Sequence, residues 1–555
     1  MKVQVYHNGD DTLIAWKPSG FIAECRGFAL LRKRNGVEET VSTWVGFEGQ
    51  AHEKGERRAS TTWPIQRYQW TDYMAAPGDT LQYRVVPMVG PNKESLHADT
   101  AQASAWTPSF KLTHEMSPKI SAYFNRGIVA AQWVSRRLGE TDTKLMAKKL
   151  RTVIGTTGDR FRGYLFGPLG DRLFTLLADA AKEKREIYAA LYELDDDQLE
   201  SALLKLKKRA HVVLANGSVK KKGEDQNAAA RAALSGKIDL HDRMISPGAL
   251  GHNKFLVICD AAKTPRWVWT GSQNWTKTGL CTQANNSVLI DDPGLAREYR
   301  KQWDLLKNAQ NGTPATLKKS NTKPRDATIG QKDVRLWFTP TIGQVDLAQA
   351  RKLIEGAKQA VLFLMFNPGP KDTLLNKIIE TARAGAAGKR LYIKGAINQD
   401  PSTTTNPVQL YDGANTIKTD FNVVLPAAID TPTAWFVREL KKLPGTFAMV
   451  HSKVVVVDPL GPHPMVMTGS HNLGPKASGT NDENLLLIND APGLARAYAT
   501  NIMAIFNQYR WRAGLANPKS KAKEFKGLKD HDQWQSWYLK PGSPKLREID
   551  FWVGA

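Results

Sequence analysis

The feature that most constrains the fold is a motif that occurs twice. The first copy begins with His252-Asn253-Lys254, continues into an apolar run, and is followed by Gly271-Ser272-Gln273-Asn274. The second begins 199 residues later with His451-Ser452-Lys453 and is followed by Gly469-Ser470-His471-Asn472. After each copy come an Asn-led apolar run and a Pro-Gly-Leu-Ala-Arg helix start. The repeat predicts two similar halves of one fold.

The residue types of the motif suggest an anion site. Because side chains alternate along a strand, His and Lys two residues apart point to the same side. The Gly-Ser-x-Asn segment offers a tight turn whose amides, hydroxyl and carboxamide can donate to phosphate oxygens. Two such units face to face would surround one anion with two His, two Lys and two Asn. No metal or other cofactor is expected, because the Lys pair supplies the positive charge.

Both copies resemble the His-x-Lys motif of the phospholipase D superfamily, in which four residues and an Asp follow the Lys. The second copy matches this pattern at every position, namely His451, Lys453, Asp458, Gly469, Ser470 and Asn472. The first copy departs from it, because Cys259 stands where the Asp belongs and Asp260 follows one residue later. The family's Glu-Asn pair is present after the second Gly-Ser turn as Glu483-Asn484. At the corresponding place after the first turn the chain has Asn285-Asn286.

The resemblance implies an α/β fold with two pseudo-symmetric halves, each a mixed β-sheet flanked by helices. We place the halves at residues 113–318 and 319–510. In the first half, an apolar strand at 188–192, a helix at 195–209 and a strand at 211–214 predict a β-α-β unit. Residues 311–332 are rich in Thr, Lys, Pro and Gly and are predicted to be a linker. The polar segment 398–433 is a candidate lid or specificity element.

Residues 1–112 contain no copy of the motif. Short strands such as 28–32, 41–47 and 81–88, separated by turn signals such as Asn8-Gly9, predict an all-β sandwich. The pieces at 28–32 and 81–86 resemble strands of a fibronectin type III domain. Trp63 and Trp70 are either core anchors or an exposed binding face, and a core role is favoured.

The tail at residues 511–555 mixes lysines, five of them between residues 519 and 529, with aromatic residues. Such a mixture can stack on nucleic acid or make a peripheral membrane contact. Docking of the aromatics on the catalytic core is the alternative interpretation.

The formal net charge of +23 predicts attraction to polyanions, either nucleic acid or anionic lipid headgroups. The N-terminus lacks the apolar segment of a secretory signal, and no run of eighteen apolar residues predicts a transmembrane segment. Three cysteines argue against a disulfide framework. We therefore expect a cytoplasmic protein, or one exported without a cleavable signal peptide. Oligomeric state is left open.

The resemblance also implies a mechanism, a two-step displacement through a phosphohistidine. One imidazole must be neutral to attack while the other donates a proton, so their pKa values must be split. In the family an acidic residue orients the nucleophile. If Glu483 reaches His252, then His252 is the nucleophile, and His451 faces Asn285 and serves as acid and base.

The remaining roles follow from the same resemblance. The residues expected to hold the phosphoryl oxygens are Lys254, Lys453, Asn274 and Asn472, with assistance from Ser272 and Ser470. Asp458 and Glu483 are expected to support the site.

Three functions are compatible with the sequence. The first is a phosphodiesterase that acts on nucleic acid, supported by the basic surplus and by the form of the first Gly-Ser turn, which resembles nuclease-like members. The second is a phospholipase that cleaves membrane lipid headgroups, supported by sixteen tryptophans. The third is a non-catalytic binding protein.

Overall fold

A computed structural model describes residues 1–51, 53, 55–127, 138–139, 143–384, 391–398, 421–424, 449–516 and 526–554. Two compact units are present, one made of Met1–His114 with Lys519–Ala555 and the other of Glu115–Pro518. The candidate lid at 398–433 lies outside the described residues, apart from residue 398 and the strand Phe421–Val424. Among the described helices, none combines the length and the apolar composition that crossing a bilayer requires.

The first unit contains two antiparallel sheets, which confirms the predicted all-β region. One sheet consists of the strands Lys2–His7, Thr12–Lys17 and Gln69–Asp72. The other consists of Phe110–Lys111, Thr80–Val89, Cys25–Arg34 and Val37–Thr40, with His97–Ala98 beside Thr80–Val89. Ser42–Thr43 pairs with Arg58–Ala59, and Lys93–Ser95 is a 3-10 turn.

The core of this unit joins the two sheets through aromatic rings. Trp16 and Phe28 meet edge to face with ring centroids 5.6 Å apart. Trp63 is fully buried, as predicted, whereas Trp70 is only half-buried beside the exposed Trp44. A strand over residues 41–47 was expected, but the strand is limited to Ser42–Thr43, and Phe47 forms an isolated bridge with Leu528. Gly46 lies against the Trp63 ring, 3.1 Å from where a Cβ would stand.

Several aromatic residues of the C-terminal helices Trp534–Leu539 and Pro544–Val553 pack against these sheets within the first unit. The Trp534 indole donates to the Cys25 carbonyl oxygen at 2.9 Å, and the Tyr6 hydroxyl donates to the Trp552 carbonyl oxygen at 2.7 Å. Trp537, by contrast, is 63% exposed. Most of these rings therefore complete a core.

The second unit contains two eight-stranded sheets with the same strand order. The first sheet has the order Glu115–Ser117, Ile120–Phe124, Asn286–Asp291, Pro265–Gly271, Lys254–Cys259, Ile187–Leu191, Ala210–Ala215, Asp239–Arg243. The second has the order Arg325–Ile329, Lys332–Phe338, Asn484–Asn489, Met465–Gly469, Val454–Val457, Ala360–Met365, Tyr392–Ile397, Phe421–Val424. In each sheet the last three strands run parallel and the other pairs are antiparallel. The predicted fold class is confirmed.

Helices flank both sheets. Those of the first half are Thr143–Gly155, Arg160–Lys182, Asp197–Leu206, Ala228–Leu234, Lys277–Cys281 and Pro293–Ala309. Those that follow are Ala315–Asn321, Val345–Glu355, Leu374–Ala384, Pro475–Gly479 and Pro492–Ala516. The predicted helix at 195–209 begins after the N-cap Asp196, whose side chain accepts from the Leu199 amide, and it ends in the 3-10 turn Lys207–Arg209.

The predicted linker at 311–332 is wrong. It contains the helix Ala315–Asn321 and the edge strand Arg325–Ile329. The strand forms because Gly330 and Gln331 both adopt positive φ, of 54° and 66°, and close a two-residue hairpin onto Lys332–Phe338. The polar composition reflects an edge strand that faces solvent on one side.

We predict that Trp534→Ala destabilises the first unit by about 3–5 kcal/mol, since it empties a buried aromatic site. Trp537→Ala is the matched control, because it removes an exposed tryptophan from the same helix. Thermal unfolding followed by circular dichroism measures both. Equal midpoints for the two variants would contradict the packing described here.

Candidate active site

The site is built on two strands at equivalent places in the two sheets, Lys254–Cys259 (the first motif strand) and Val454–Val457 (the second motif strand). His252 and His451 precede these strands and are 3% and 4% exposed. Each lysine amine donates to the carbonyl oxygen of the histidine two residues before it, Lys254 at 2.7 Å and Lys453 at 2.6 Å. Each half therefore presents one imidazole and one amine side by side.

An aromatic ring flanks each of these pairs. Tyr192 meets the His252 ring edge to face at 4.6 Å, and Phe366 meets the His451 ring in the same way at 4.7 Å. Lys254 lies over Tyr192 at 4.6 Å and Lys453 over Phe366 at 4.7 Å. Because the ring packs against both groups, it limits the rotamers that His and Lys can adopt.

The two halves meet through their backbones beside the histidines. Gln283–Ala284 pairs in parallel with Met449–Val450, and the His451 amide donates to the Ala284 carbonyl oxygen at 3.0 Å. At the related place, the Asp482 amide donates to the Leu250 carbonyl oxygen at 2.8 Å. A buried ion pair between Arg243 and Asp482, with 2.7 Å between nitrogen and oxygen, reinforces this second contact. The ends of the two motif strands are thus joined across a pseudo-dyad.

Each histidine receives its Nδ1 partner from the opposite half. Glu483 Oε1 lies 3.4 Å from His252 Nδ1, and Asn285 Oδ1 lies 2.9 Å from His451 Nδ1. The contact between Glu483 and His252 is the one that the sequence analysis anticipated. Two related imidazoles therefore have unequal partners, one a carboxylate and the other a neutral amide.

Electrostatics reinforce this difference. Burial acts to raise the pKa of Glu483, but contacts with His252, His471 and Asn481 lower it to about 2. Burial and the charge of Lys254 lower the pKa of His252 to about 4, although Glu483 opposes the shift. Burial and the charges of Lys453, Lys254 and His252 hold the pKa of His451 well below its usual range. Near pH 7 Glu483 is thus ionised and both imidazoles are neutral.

The two lysines occupy one electrostatic environment. Burial lowers the pKa of both amines, and the charge of Lys254 lowers that of Lys453 further. The same two carboxylates, Glu483 and Glu193, act on both amines in the opposite direction. Because Coulomb energy falls with distance, both amines lie near the same two carboxylates. One of these carboxylates, Glu483, is also the group that contacts His252.

The two Gly-Ser turns hold the groups around the histidines. The Ser272 hydroxyl donates to Asn285 Oδ1 at 2.7 Å, and the Ser470 hydroxyl accepts from the Asn484 amide at 3.0 Å. Both serines are fully buried, so their hydroxyls fix the turns. The backbone N–H of Asn472 donates to Glu483 Oε2 at 2.9 Å. The turns thereby set the positions of Asn285 and Glu483.

The side-chain oxygens of Asn274 and Asn472 are buried and accept no hydrogen bond from the described residues. Asn274 Nδ2 donates to Glu193 Oε2 at 2.6 Å. The contact with Glu193 orients the Asn274 amide, and both side-chain oxygens still have capacity to bind a ligand.

Asp458 lies at the far end of the second motif strand from His451. Its carboxylate accepts from the amides of Lys358, Gln359 and Ala360 at 2.7–2.8 Å and so anchors the neighbouring strand. Asp260 instead stabilises its own turn, where it accepts from the amides of Ala262 and Thr264. The structure does not bring either aspartate to the histidines.

Sequence reasoning missed Glu193, which follows the buried strand Ile187–Leu191 by two residues. Burial raises the pKa of this carboxyl, while Lys254 and Lys453 lower it. An acidic residue just after a fully apolar strand was the available signal. Its relation to the lysines depends on tertiary structure, since it is 61 residues from Lys254 in the chain.

The sequence also gave no partner for His471. Its Nε2 lies 3.1 Å from Asp346 Oδ2, and both side chains are fully buried. Asp346 Oδ1 accepts from the hydroxyls of Thr341 and Ser478 at 2.7 and 2.5 Å. Burial opposes the shift, but Asp346 raises the pKa of His471 above its usual value. The same imidazole acts to lower the pKa of Glu483.

Comparisons with known proteins agree with this geometry. A family profile described as cardiolipin synthase, PLD-like domain, matches residues 175–306 and 351–510, more than half of the chain. A phospholipase D of Rickettsia bellii is 31% identical over 140 residues, which are 24% of this chain and 64% of that protein. A phospholipase D of Rickettsia conorii is 30% identical over 133 residues, which are 23% and 60%. The chain thus spans less than two thirds of these relatives.

The solved structures that match this chain share little sequence with it. Phosphatidylserine synthase from Haemophilus influenzae is 13% identical, with 61% of this chain and 84% of that chain covered and a TM-score of 0.40. The phospholipase D family member Nuc from Salmonella typhimurium is 19% identical, with 32% and 95% covered and a TM-score of 0.20.

We predict that His471→Asn lowers the free energy of unfolding by roughly 3 kcal/mol near pH 6, because it leaves Asp346 buried without its cation. Since folding raises the pKa of His471, this contribution is complete at low pH and disappears as the pH rises through the raised value. The difference from wild type should therefore be smaller near pH 9. Urea titrations at both pH values measure it.

The matched control is His463→Asn, which removes a His-Asp pair whose imidazole is 84% exposed. It should change stability by less than about 1 kcal/mol at either pH. A loss in His471→Asn that does not vary with pH would show that packing, not charge, makes the contribution.

Proposed function

The chain belongs to the phospholipase D superfamily, and from this premise we propose that it hydrolyses phosphodiesters through a phosphohistidine formed on His252. The observation that carries the proposal is the unequal pairing of the two imidazoles. Glu483 lies behind His252, and Asn285 lies behind His451. A carboxylate behind an imidazole stabilises the positive charge that develops when the ring bonds to phosphorus.

In the first step, His252 Nε2 attacks phosphorus and the bond from phosphorus to the leaving oxygen breaks. His451 Nε2 gives its proton to that oxygen, so the alcohol leaves neutral. In the second step, a water molecule loses a proton to His451 and attacks phosphorus from the side that the alcohol vacated. The bond between phosphorus and His252 breaks, and a phosphomonoester is released.

His451 must gain a proton before the first step, although burial and the charges of Lys453, Lys254 and His252 keep its pKa low. The phosphodiester brings a negative charge between the two lysines. That charge favours the protonated forms of nearby groups and raises the pKa of His451 and of both amines. Substrate binding thus prepares the acid, while Glu483 directs His252 towards phosphorus.

Lys254, Lys453, Asn274 and Asn472 would hold the phosphoryl oxygens. Because charge on these oxygens increases as the nucleophile approaches, preorganised donors stabilise the transition state more than the bound substrate. The lysines supply the charge that a metal ion provides in other phosphodiesterases. Turnover in the presence of EDTA is therefore expected.

Nucleic acid is the substrate that we propose first, because the net charge of +23 favours a polyanion over a single phosphate. A phospholipid is the second candidate, favoured by the similarity to Rickettsia proteins named phospholipase D. In either case the reacting group is a phosphodiester.

Parallel assays with EDTA on an oligonucleotide, bis(p-nitrophenyl) phosphate and phospholipid vesicles test the proposal. We expect turnover of the small diester and the oligonucleotide, and none by His451→Asn on the oligonucleotide. Turnover of vesicles alone would replace the first substrate with the second. Loss of all activity in EDTA would contradict the proposed chemistry.

We predict that bis(p-nitrophenyl) phosphate labels His451→Asn with a stable phosphoryl group and leaves His252→Asn unlabelled. The activated leaving group departs without an acid, whereas hydrolysis of the intermediate still needs His451 as base. Intact-mass spectrometry and peptide mapping of His252 measure the label. A label confined to His252→Asn would reverse the two roles.

We predict that Lys453→Ala lowers kcat/KM by at least about a hundredfold, roughly 3 kcal/mol of transition-state stabilisation. Lys221→Ala is the control, because it removes a lysine that is exposed in a loop. Steady-state kinetics on the small diester measure both. Full activity of Lys453→Ala would contradict a phosphate site shared by both halves.

A further inference from the structure

Exposed apolar side chains cluster on the first unit. Of the eight large hydrophobic residues exposed in the described part of the chain, three are Trp44, Tyr73 and Met74. The Trp44 and Trp70 rings lie 5.2 Å apart, and the Arg57 guanidinium lies 6.0 Å from the centre of the Trp44 ring. Arg57 Nη1 also lies 3.6 Å from Met74 Sδ. Together Trp44, Arg57, Trp70, Tyr73 and Met74 form one surface, which we call the aromatic patch.

We propose that the aromatic patch docks the protein on an anionic lipid surface. Clusters of exposed apolar side chains usually mark binding sites, because exposing them to water costs free energy. Tryptophan and tyrosine favour the boundary between headgroups and acyl chains, where the ring is buried and its polar atom stays hydrated. The patch contains these residue types together with a flexible Met and a cation.

The loop at residues 73–77 provides an apolar tip. Its sequence, Tyr-Met-Ala-Ala-Pro, contains no charged side chain. The Met74 amide donates to Asp72 Oδ1 at 2.9 Å, and the Ala76 amide donates to Asp79 Oδ2 at 2.9 Å. A backbone amide that enters a lipid phase without a partner costs several kcal/mol, so these bonds remove a barrier to insertion.

The positive charge of Arg57 indicates that the aromatic patch favours an anionic lipid surface. Arg57 is exposed and forms no ion pair with a carboxylate among the described residues. A cation beside an inserting aromatic ring favours anionic headgroups over neutral ones, at about 1 kcal/mol for each such cation.

The same observations favour lipid over nucleic acid at this surface. Tight nucleic-acid binding requires several cations that contact successive phosphates. The patch has one cation, and its Met74 side chain can neither stack on bases nor donate to phosphates. Insertion of apolar groups accounts for these residues better.

Flotation of the full chain with vesicles tests the proposal. Wild type should bind vesicles of phosphatidylcholine that contain roughly 30% phosphatidylglycerol more tightly than vesicles of pure phosphatidylcholine. The reason is that each basic residue near an anionic surface contributes about 1 kcal/mol. The double variant Trp44→Ser/Met74→Ser should bind the anionic vesicles at least about tenfold more weakly, because it removes two inserting side chains. Thermal unfolding at the wild-type midpoint shows that the double variant is folded.

The matched control is Trp537→Ser, which removes another exposed tryptophan with a cation, Lys545, 5.3 Å from its ring. It should bind as wild type does. Three results would overturn the proposal: no binding of wild type to either vesicle, an equal loss in the control, or a loss of oligonucleotide binding or self-association in the double variant with vesicle binding unchanged.

Discussion

The second unit depends on placing two lysines and two histidines in one buried space between the halves. Burying cations without partners is costly, because water no longer solvates them. The structure offsets this cost with Glu483 and Glu193, whose charges act on both lysines, and with aromatic rings beside each amine. The part of the desolvation cost that is not offset appears as lowered pKa values of the two lysines. A bound anion would raise these pKa values again. The site is thus electrostatically suited to an anion.

Chemistry requires the symmetry of the repeat to be broken. The strand register pairs Leu191 with Lys254 and Leu364 with Val454, the residue after the equivalent Lys453. Glu193 and Asn367 therefore occupy equivalent places in the two halves. Glu483 and Asn285 are equivalent as well. At both positions one half carries a carboxylate and the other an amide. These two differences place chemically identical imidazoles in unequal electrostatic surroundings.

The repeat was sufficient to predict much of this arrangement. A motif recurring at a fixed offset indicated two similar halves, and strand periodicity placed His and Lys side by side. The Glu-Asn pair indicated which histidine has a charged partner. Glu193 and the His471-Asp346 pair could not be predicted, because their contacts join residues far apart in the chain. Asp458 shows a related limit, since its place in the motif did not reveal that its carboxylate anchors a neighbouring strand. Composition also misled at 311–332, where two residues with positive φ close a hairpin.

The central claim is that His252 and His451 share one phosphorus atom across the pseudo-dyad. A crystal structure with tungstate, an oxyanion of similar shape, tests it most directly. The account predicts one ion between the rings, with a ring nitrogen of each histidine within about 3 Å of its oxygens and both lysines in contact with it. Two separate ions, or one bound by a single half, would contradict the shared site.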